Sequence, residues 1–211
     1  MTYESFKIEL LKTQSESSLV GSFDKELIKE YQSLITDPDY FGFVIEMDNR
    51  GFFSSNSLQF YLYCESRDFR NIKTVNEVLA IEFEDLMKKF VSIGQDIFGN
   101  QFIVSIETGA FSFFNIESGE KVEMGKSFRE FMEILVRGID YYSGVSFLIE
   151  WGKQLELNER LYPIKPFVIG GQYQKDNFCK LEFPTYLSLY GDIARQISNL
   201  PNDTRVILKF K

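Results

Sequence analysis

The chain holds 211 residues, 44% of them apolar and 16% aromatic with 22 Phe, which is enough to close a sizeable core without disulfides or a metal. Its formal charge is −8, and the charge is uneven: residues 1–120 carry 10 basic against 20 acidic groups, residues 121–211 carry 13 against 11. An acidic half repels phosphate backbones, which argues against nucleic acid and favours a basic protein partner. Cys64 and Cys179 form neither a metal spacing nor a disulfide framework and read as reduced, apolar-run thiols. The start MTYESFKIELLK lacks an apolar stretch after its charges, and no run nears the roughly 20 apolar residues of a membrane span. The expectation is a cytoplasmic protein without a membrane segment.

In chain order, Asp24 is placed to cap a helix with Leu27, Ile28, Tyr31, Leu34 and Ile35 on one stripe and Phe23–Ile28 as a staple. Asp37-Pro38 starts a second helix through Phe41, Val44 and Ile45, ending at the turn Asn49-Arg50-Gly51. Leu58–Cys64 reads as a strand, and residues 75–90 as partly helical with Glu82, Glu84 and Asp85 exposed. Residues 94–120, GQDIFGNQFIVSIETGAFSFFNIESGE, read as strands broken by the turns Glu107-Thr108-Gly109 and Glu117-Ser118-Gly119, returning at Lys121–Met124. Ser127-Phe128-Arg129-Glu130 is a capping box ahead of Phe128, Phe131, Met132, Leu135, Val136 and Ile139 at helical spacing. A helix with Phe147, Leu148, Trp151 and Leu155 follows, then a loop with Pro163 and Pro166. A strand near Phe178–Phe183, a helix through Leu189, Ile193 and Ile197, and a final strand Arg205–Phe210 close the chain. Clustered antiparallel strands between helices predict an α+β fold, an antiparallel meander flanked by helices, in one domain spanning 1–211.

The chain contains no histidine, which removes Ser–His and Cys–His nucleophile pairs and every His-dependent zinc site. No phosphate loop or dinucleotide fingerprint is present. Carboxylates alone could hydrolyse a glycoside or hold magnesium, with Glu82, Glu84 and Asp85, or Asp37 and Asp39, as candidates. A solvated acidic face is the ordinary reading of such residues. Trp151 sits at core spacing, Gly170-Gly171-Gln172 reads as a turn, and the glycines of 94–120 lie between strands with acidic neighbours. A phosphate cradle needs a helix N-terminus or a basic group there, so the segment reads as scaffold.

Ile93-Gly94-Gln95-Asp96-Ile97-Phe98-Gly99-Asn100-Gln101-Phe102 resembles the signature of the SUKH superfamily, which includes the yeast Smi and Knr cell-wall regulators and many bacterial proteins. Pro38-Asp39-Tyr40, Glu117-Ser118-Gly119-Glu120, Ser127–Met132, Pro166–Gly171 and Asp192–Ile197 extend the resemblance over most of residues 34–210, with Asn49-Arg50-Gly51 in place of the family's Asn-Gly-Gly. The resemblance implies a SUKH-like domain. For bacterial members it implies an immunity protein that binds and silences a toxin, often a basic nuclease. It implies no shared catalytic set and no cofactor. The expected function is therefore toxin neutralisation by a non-enzyme, with a regulatory scaffold for a cellular partner as the alternative. The acidic residues Glu46, Asp48, Glu82, Glu84 and Asp85 are the expected partner contacts.

Overall fold

The computed structural model describes residues 3–12, 23–47, 52–198, 200–201, 204 and 206–209. Helices α1 (Tyr3–Lys12), α2 (Lys25–Gln32) and α3 (Pro38–Met47) precede strands β1 (Phe52–Phe53) and β2 (Leu58–Phe60) and helix α4 (Ile72–Phe83). Strands β3 (Phe90–Asp96), β4 (Gln101–Ser105), β5 (Phe111–Phe114) and β6 (Lys121–Gly125) follow. Then come α5 (Phe128–Arg137), α6 (Ile139–Ser143), α7 (Val145–Trp151), β7 (Glu159–Pro163), β8 (Phe178–Glu182) and α8 (Thr185–Ile197). Strands β1 to β6 form one sheet in sequence order, every pair antiparallel, and β7–β8 form a separate hairpin. The α+β meander expected from the glycine turns is present.

The helix starts follow the local chemistry. Asp24 accepts from the N–H groups of Glu26 and Leu27, and Leu27 and Tyr31 are buried. Asp37 does more than its position before Pro38 implies. Its Oδ1 accepts from Asp39 and Tyr40 at 2.9 and 3.2 Å, while its Oδ2 accepts from the Phe128 N–H at 2.8 Å. One carboxylate thus serves the first turns of both α3 and α5, where the Tyr40 and Phe128 rings meet at 5.4 Å. Ser127 caps α5 as expected, but the Glu130 carboxylate reaches the N–H of Lys126 rather than that of Ser127. Asp37 adds a bond that a box would not supply, taking the Phe128 N–H. Phe128, Phe131, Met132, Leu135 and Val136 are buried, each worth roughly 1.5–3 kcal/mol of transfer before entropy is deducted.

The two faces of the sheet differ in chemistry. Cross-strand pairs Phe102–Phe113 and Val104–Phe111 stand on one face. There Phe60 meets Phe6 of α1 and Phe43 of α3, and Phe102 and Phe111 meet Phe131 of α5 at 5.7 and 5.4 Å. The opposite face carries Gln59, Gln95 and Gln101 on successive strands, with Phe114 opposite Gln101. Over it lie Phe83 of α4, Tyr186 of α8 and the wholly buried Arg160 of β7.

Several expectations are corrected. Pro163 ends a strand rather than sitting in a loop; it pairs with Phe178 at the terminus of the hairpin, where a missing N–H is tolerated. Residues 58–64 are all buried instead of alternating, and regular pairing stops at Phe60. Leu155 packs in the core but lies beyond α7. Of the expected final strand, Val206–Lys209 are described and pair with no strand; the Gln196 amide holds the Lys209 N–H and carbonyl instead. Arg205, Phe210 and the turn Asn49-Arg50-Gly51 lie outside the described residues.

Candidate binding cleft

The polar face is a connected network that sets the ends of the hairpins. Gln101 Oε1 accepts from Tyr61 Oη and Ser92 Oγ, each at 2.7 Å, and Gln101 Nε2 donates to the Gly99 carbonyl at 2.5 Å. Gln95 Oε1 accepts from Tyr186 Oη at 2.9 Å, and Gln95 Nε2 donates to Gln59 Oε1 at 2.9 Å. Arg160 Nη2 donates to that same oxygen at 2.6 Å. The close approach demands glycine at position 94, where a Cβ would stand 2.4 Å from the Gln59 carbonyl oxygen. Gly99, at φ +81°, packs under the Tyr186 ring.

Beyond the network the β3–β4 turn is held by Asp96. Its Oδ1 accepts from the N–H groups of Phe98 and Asn100 at 2.8 and 2.9 Å, and its Oδ2 from Asn100 Nδ2 at 2.8 Å. Asn100 Oδ1 in turn accepts from the Ile116 N–H at 3.1 Å, tying this turn to the one between β5 and β6. Asn115 shapes that second turn through the N–H groups of Glu117 and Ser118. These aspartate and asparagine turns are the reason acidic and aromatic side chains converge where they do.

They converge on a cleft of about 1020 Å³ between the two turns, α6 and α7, and residues 167–176. Asn177 braces the last segment through the Lys165 N–H and the Lys165 and Gln172 carbonyls, and the Trp151 indole N–H donates to the Lys175 carbonyl. Six of the seven lining rings fall into two groups, while the seventh, Tyr190 of α8, packs on Tyr162. Phe98, Phe147, Phe167 and Tyr173 touch one another, the tightest pair being Phe147–Tyr173 at 4.6 Å. Phe113 and Tyr141, which also line the cleft, meet at 6.4 Å.

Five carboxylates, Asp96, Glu117, Asp140, Glu150 and Asp176, line the cleft beside a single cation, Lys175. Among the described residues no ion pair involves any of the five. Burial pushes the Asp96 carboxyl up to about 7, against the lowering effect of Asn100, the Phe98 and Asn100 N–H groups and Arg160. Glu117 is 5% exposed; its Oε1 accepts from the Val168 N–H at 2.7 Å, and its buried Oε2 has no partner among the described residues. Burial raises its carboxyl too, against the N–H groups of Val168 and Phe167. Asp140, Glu150 and Asp176 are exposed at the rim.

The expected contact residues fall elsewhere. Glu46 on α3 is bound to Lys7 of α1 at 2.9 Å. Glu82, at the end of α4, accepts from Ser188 Oγ at 2.7 Å and lies 3.6 Å from Arg195 of α8. Glu84 and Asp85 are exposed in the turn after α4, Glu84 at φ +41°, a region that disfavours a side chain. Asp48 lies outside the described residues. Glu46 therefore belongs to the α1–α3 side, and Glu82–Asp85 to the α4–α8 side. The cleft acids went unread because Asp96 and Glu117 sit among strand and turn residues, and nothing in spacing shows that those turns face α6 and α7.

No family model matches the chain, and no curated protein is significantly similar to it. Among solved structures, Atu4351 from Agrobacterium tumefaciens aligns with a TM-score of 0.62 over 87% of this chain and 87% of that one, at 15% identity. The likeness is one of fold. No described helix is long and apolar enough to cross a membrane.

Proposed function

We propose that this protein is a non-catalytic binding module that docks onto a basic protein, and that the partner is a toxin with a nuclease domain as its leading class. The carrying observation is the cleft: five carboxylates line it beside one lysine, and none of the five is in an ion pair among the described residues. Unpaired acids at a concave, ring-lined surface attract and orient a cationic partner. The resemblance to SUKH immunity proteins supplies the toxin; the acidic bias of residues 1–120 supplies the expected sign of the partner's charge. No cofactor enters this reading.

The test is co-expression with a toxin encoded beside this gene. Protection of the cell and a co-purifying complex are expected, burying on the order of 1,600 Å² and weakening as salt rises. Failure to protect would remove the toxin, and capture of a housekeeping protein in its place would favour the regulatory scaffold.

One observation favours a second reading. Asp96 and Glu117 line the same cleft with raised carboxyls, the ingredients of histidine-free glycoside hydrolysis. Asp96, however, is engaged by three N–H donors as a turn brace, which suits architecture better than proton transfer. Turnover of an aryl glycoside that disappears in Glu117→Gln would replace the binding reading with this one.

A further inference from the structure

Resting on that reading and deepening it, we propose that the cleft is the seat of one arginine side chain presented by the partner, its guanidinium stacked on the aromatic walls and paired with the carboxylates. The two ring groups make no ring contact with each other among the described residues and both line the cleft, so each offers its own aromatic surface to an occupant. Carboxylates occupy both depths: Asp96 and Glu117 are buried, Asp140 and Glu150 exposed. Glu117 Oε2 is a buried acceptor without a donor among the described residues, a feature that native interiors seldom leave unanswered.

The chemistry selects the occupant. A guanidinium is flat, weakly hydrated and delocalised, so it lies against ring faces at little desolvation cost, and its fork of N–H donors matches a carboxylate. An ammonium is a compact, strongly hydrated point charge that gains less from flat walls. Hard divalent cations need a shell of six or more oxygens, which rings cannot supply, and no cluster of three potential metal-binding side chains exists among the described residues. An anion would face a lining of carboxyl groups with a single lysine to answer it. The volume of about 1020 Å³ admits a long side chain together with the backbone that carries it, more space than a free small ion fills.

The test uses the full chain and the blocked peptide acetyl-Gly-Arg-Gly-amide, titrated by NMR at low salt. The peptide should bind in the millimolar range and shift the amides of Gly144 and Asn100, which line the cleft. Its citrulline analogue, nearly isosteric but uncharged, should bind at least about tenfold more weakly. Glu150→Gln and Asp140→Asn, both at exposed sites, should each weaken binding by about two- to fivefold, and Tyr173→Ala by a similar factor. Lys175→Gln removes the one like charge and should tighten binding by about twofold, an effect that mere structural damage would not give. Glu117→Gln keeps an acceptor for the Val168 N–H while removing the charge, and should weaken binding with the fold intact by circular dichroism. Equal binding of the arginine and citrulline peptides overturns the proposal, as does indifference to the rim and ring variants. Free L-arginine binding tenfold more tightly than the blocked peptide also overturns it, because the cleft would then be a small-molecule site. If arginine selectivity is absent while the protein still captures a basic partner, only this inference falls. Arginine selectivity without any protection from a toxin retires the toxin and leaves the cleft assignment standing.

Discussion

On one face of the sheet Phe60, Phe102, Phe111 and Phe113 meet rings from four helices; on the other, Gln59, Gln95 and Gln101 hold one another, two tyrosines and a buried arginine. The central strands β3 to β5 are buried on both faces, yet the two faces ask different things of their residues. Apolar contact is non-directional and tolerates substitutions of similar volume. The glutamine network is directional, since each oxygen and amide is committed to a named partner and an unmet group in low dielectric is costly. The placement of function follows from this contrast. The β3–β4 turn that lines the cleft is braced from the polar face, where Gln101 reaches back to the Gly99 carbonyl, while Phe113 brings an apolar-face ring to the same cleft. Precision is concentrated on the side that positions the carboxylates.

The sharpest attack on the contrast is Arg160→Ala. It leaves a cavity, strips the Leu157 and Glu159 carbonyls of their guanidinium donor and removes the one buried cation near Asp96, so a loss of about 3–5 kcal/mol is expected in urea unfolding. Gln101→Glu changes almost no volume. It replaces a donor with an acceptor against the Gly99 carbonyl, and should cost about 3 kcal/mol. The β3–β4 turn should also respond to pH. Because the folded Asp96 carboxyl titrates near 7, above its unfolded value near 4, the native state binds the extra proton between those limits. Stability should therefore fall as pH rises from about 4 to 7, by at most about 1.4 kcal/mol per unit, and level off above that. Glu117 contributes with the same sign, and Asp96→Asn should flatten most of the slope. The smallest effect belongs to the aromatic face, where Phe131→Leu should cost only about 1–2 kcal/mol in the same urea assay. A larger loss there than for Gln101→Glu would erase the distinction between the faces.

How much of this the sequence discloses depends on the range of the forces involved. Caps and turns are short-range: Asp24, Ser127 and the glycine turns of 94–120 announce themselves because their partners lie within four residues. The meander follows from those turns. Strand β7 is hidden because Pro163 reads as a breaker and its partner strand begins fifteen residues later, at Phe178. The final strand is a mistake of the opposite kind, since Val206–Lys209 have strand composition but meet a side-chain amide rather than a sheet. The cleft is assembled from five segments, near residues 96–100, 113–117, 140–150, 167–176 and at Tyr190. The reading of 94–120 as scaffold holds for its backbone, which braces the sheet, yet two of its acids also line the cleft. Pattern along the chain cannot say which side of a turn a carboxylate will face.

The doubly bonded carboxylate of Asp37 has a consequence for motion. Because its two oxygens hold N–H groups that lie 88 and more residues apart, fraying at the start of α3 must release the start of α5, and the reverse. In amide hydrogen exchange the Tyr40 and Phe128 protons should open together and slow or quicken together, as one gate with two leaves. Asp37→Asn would supply one acceptor where two are needed and should uncouple the pair, letting the two helix starts breathe on separate clocks.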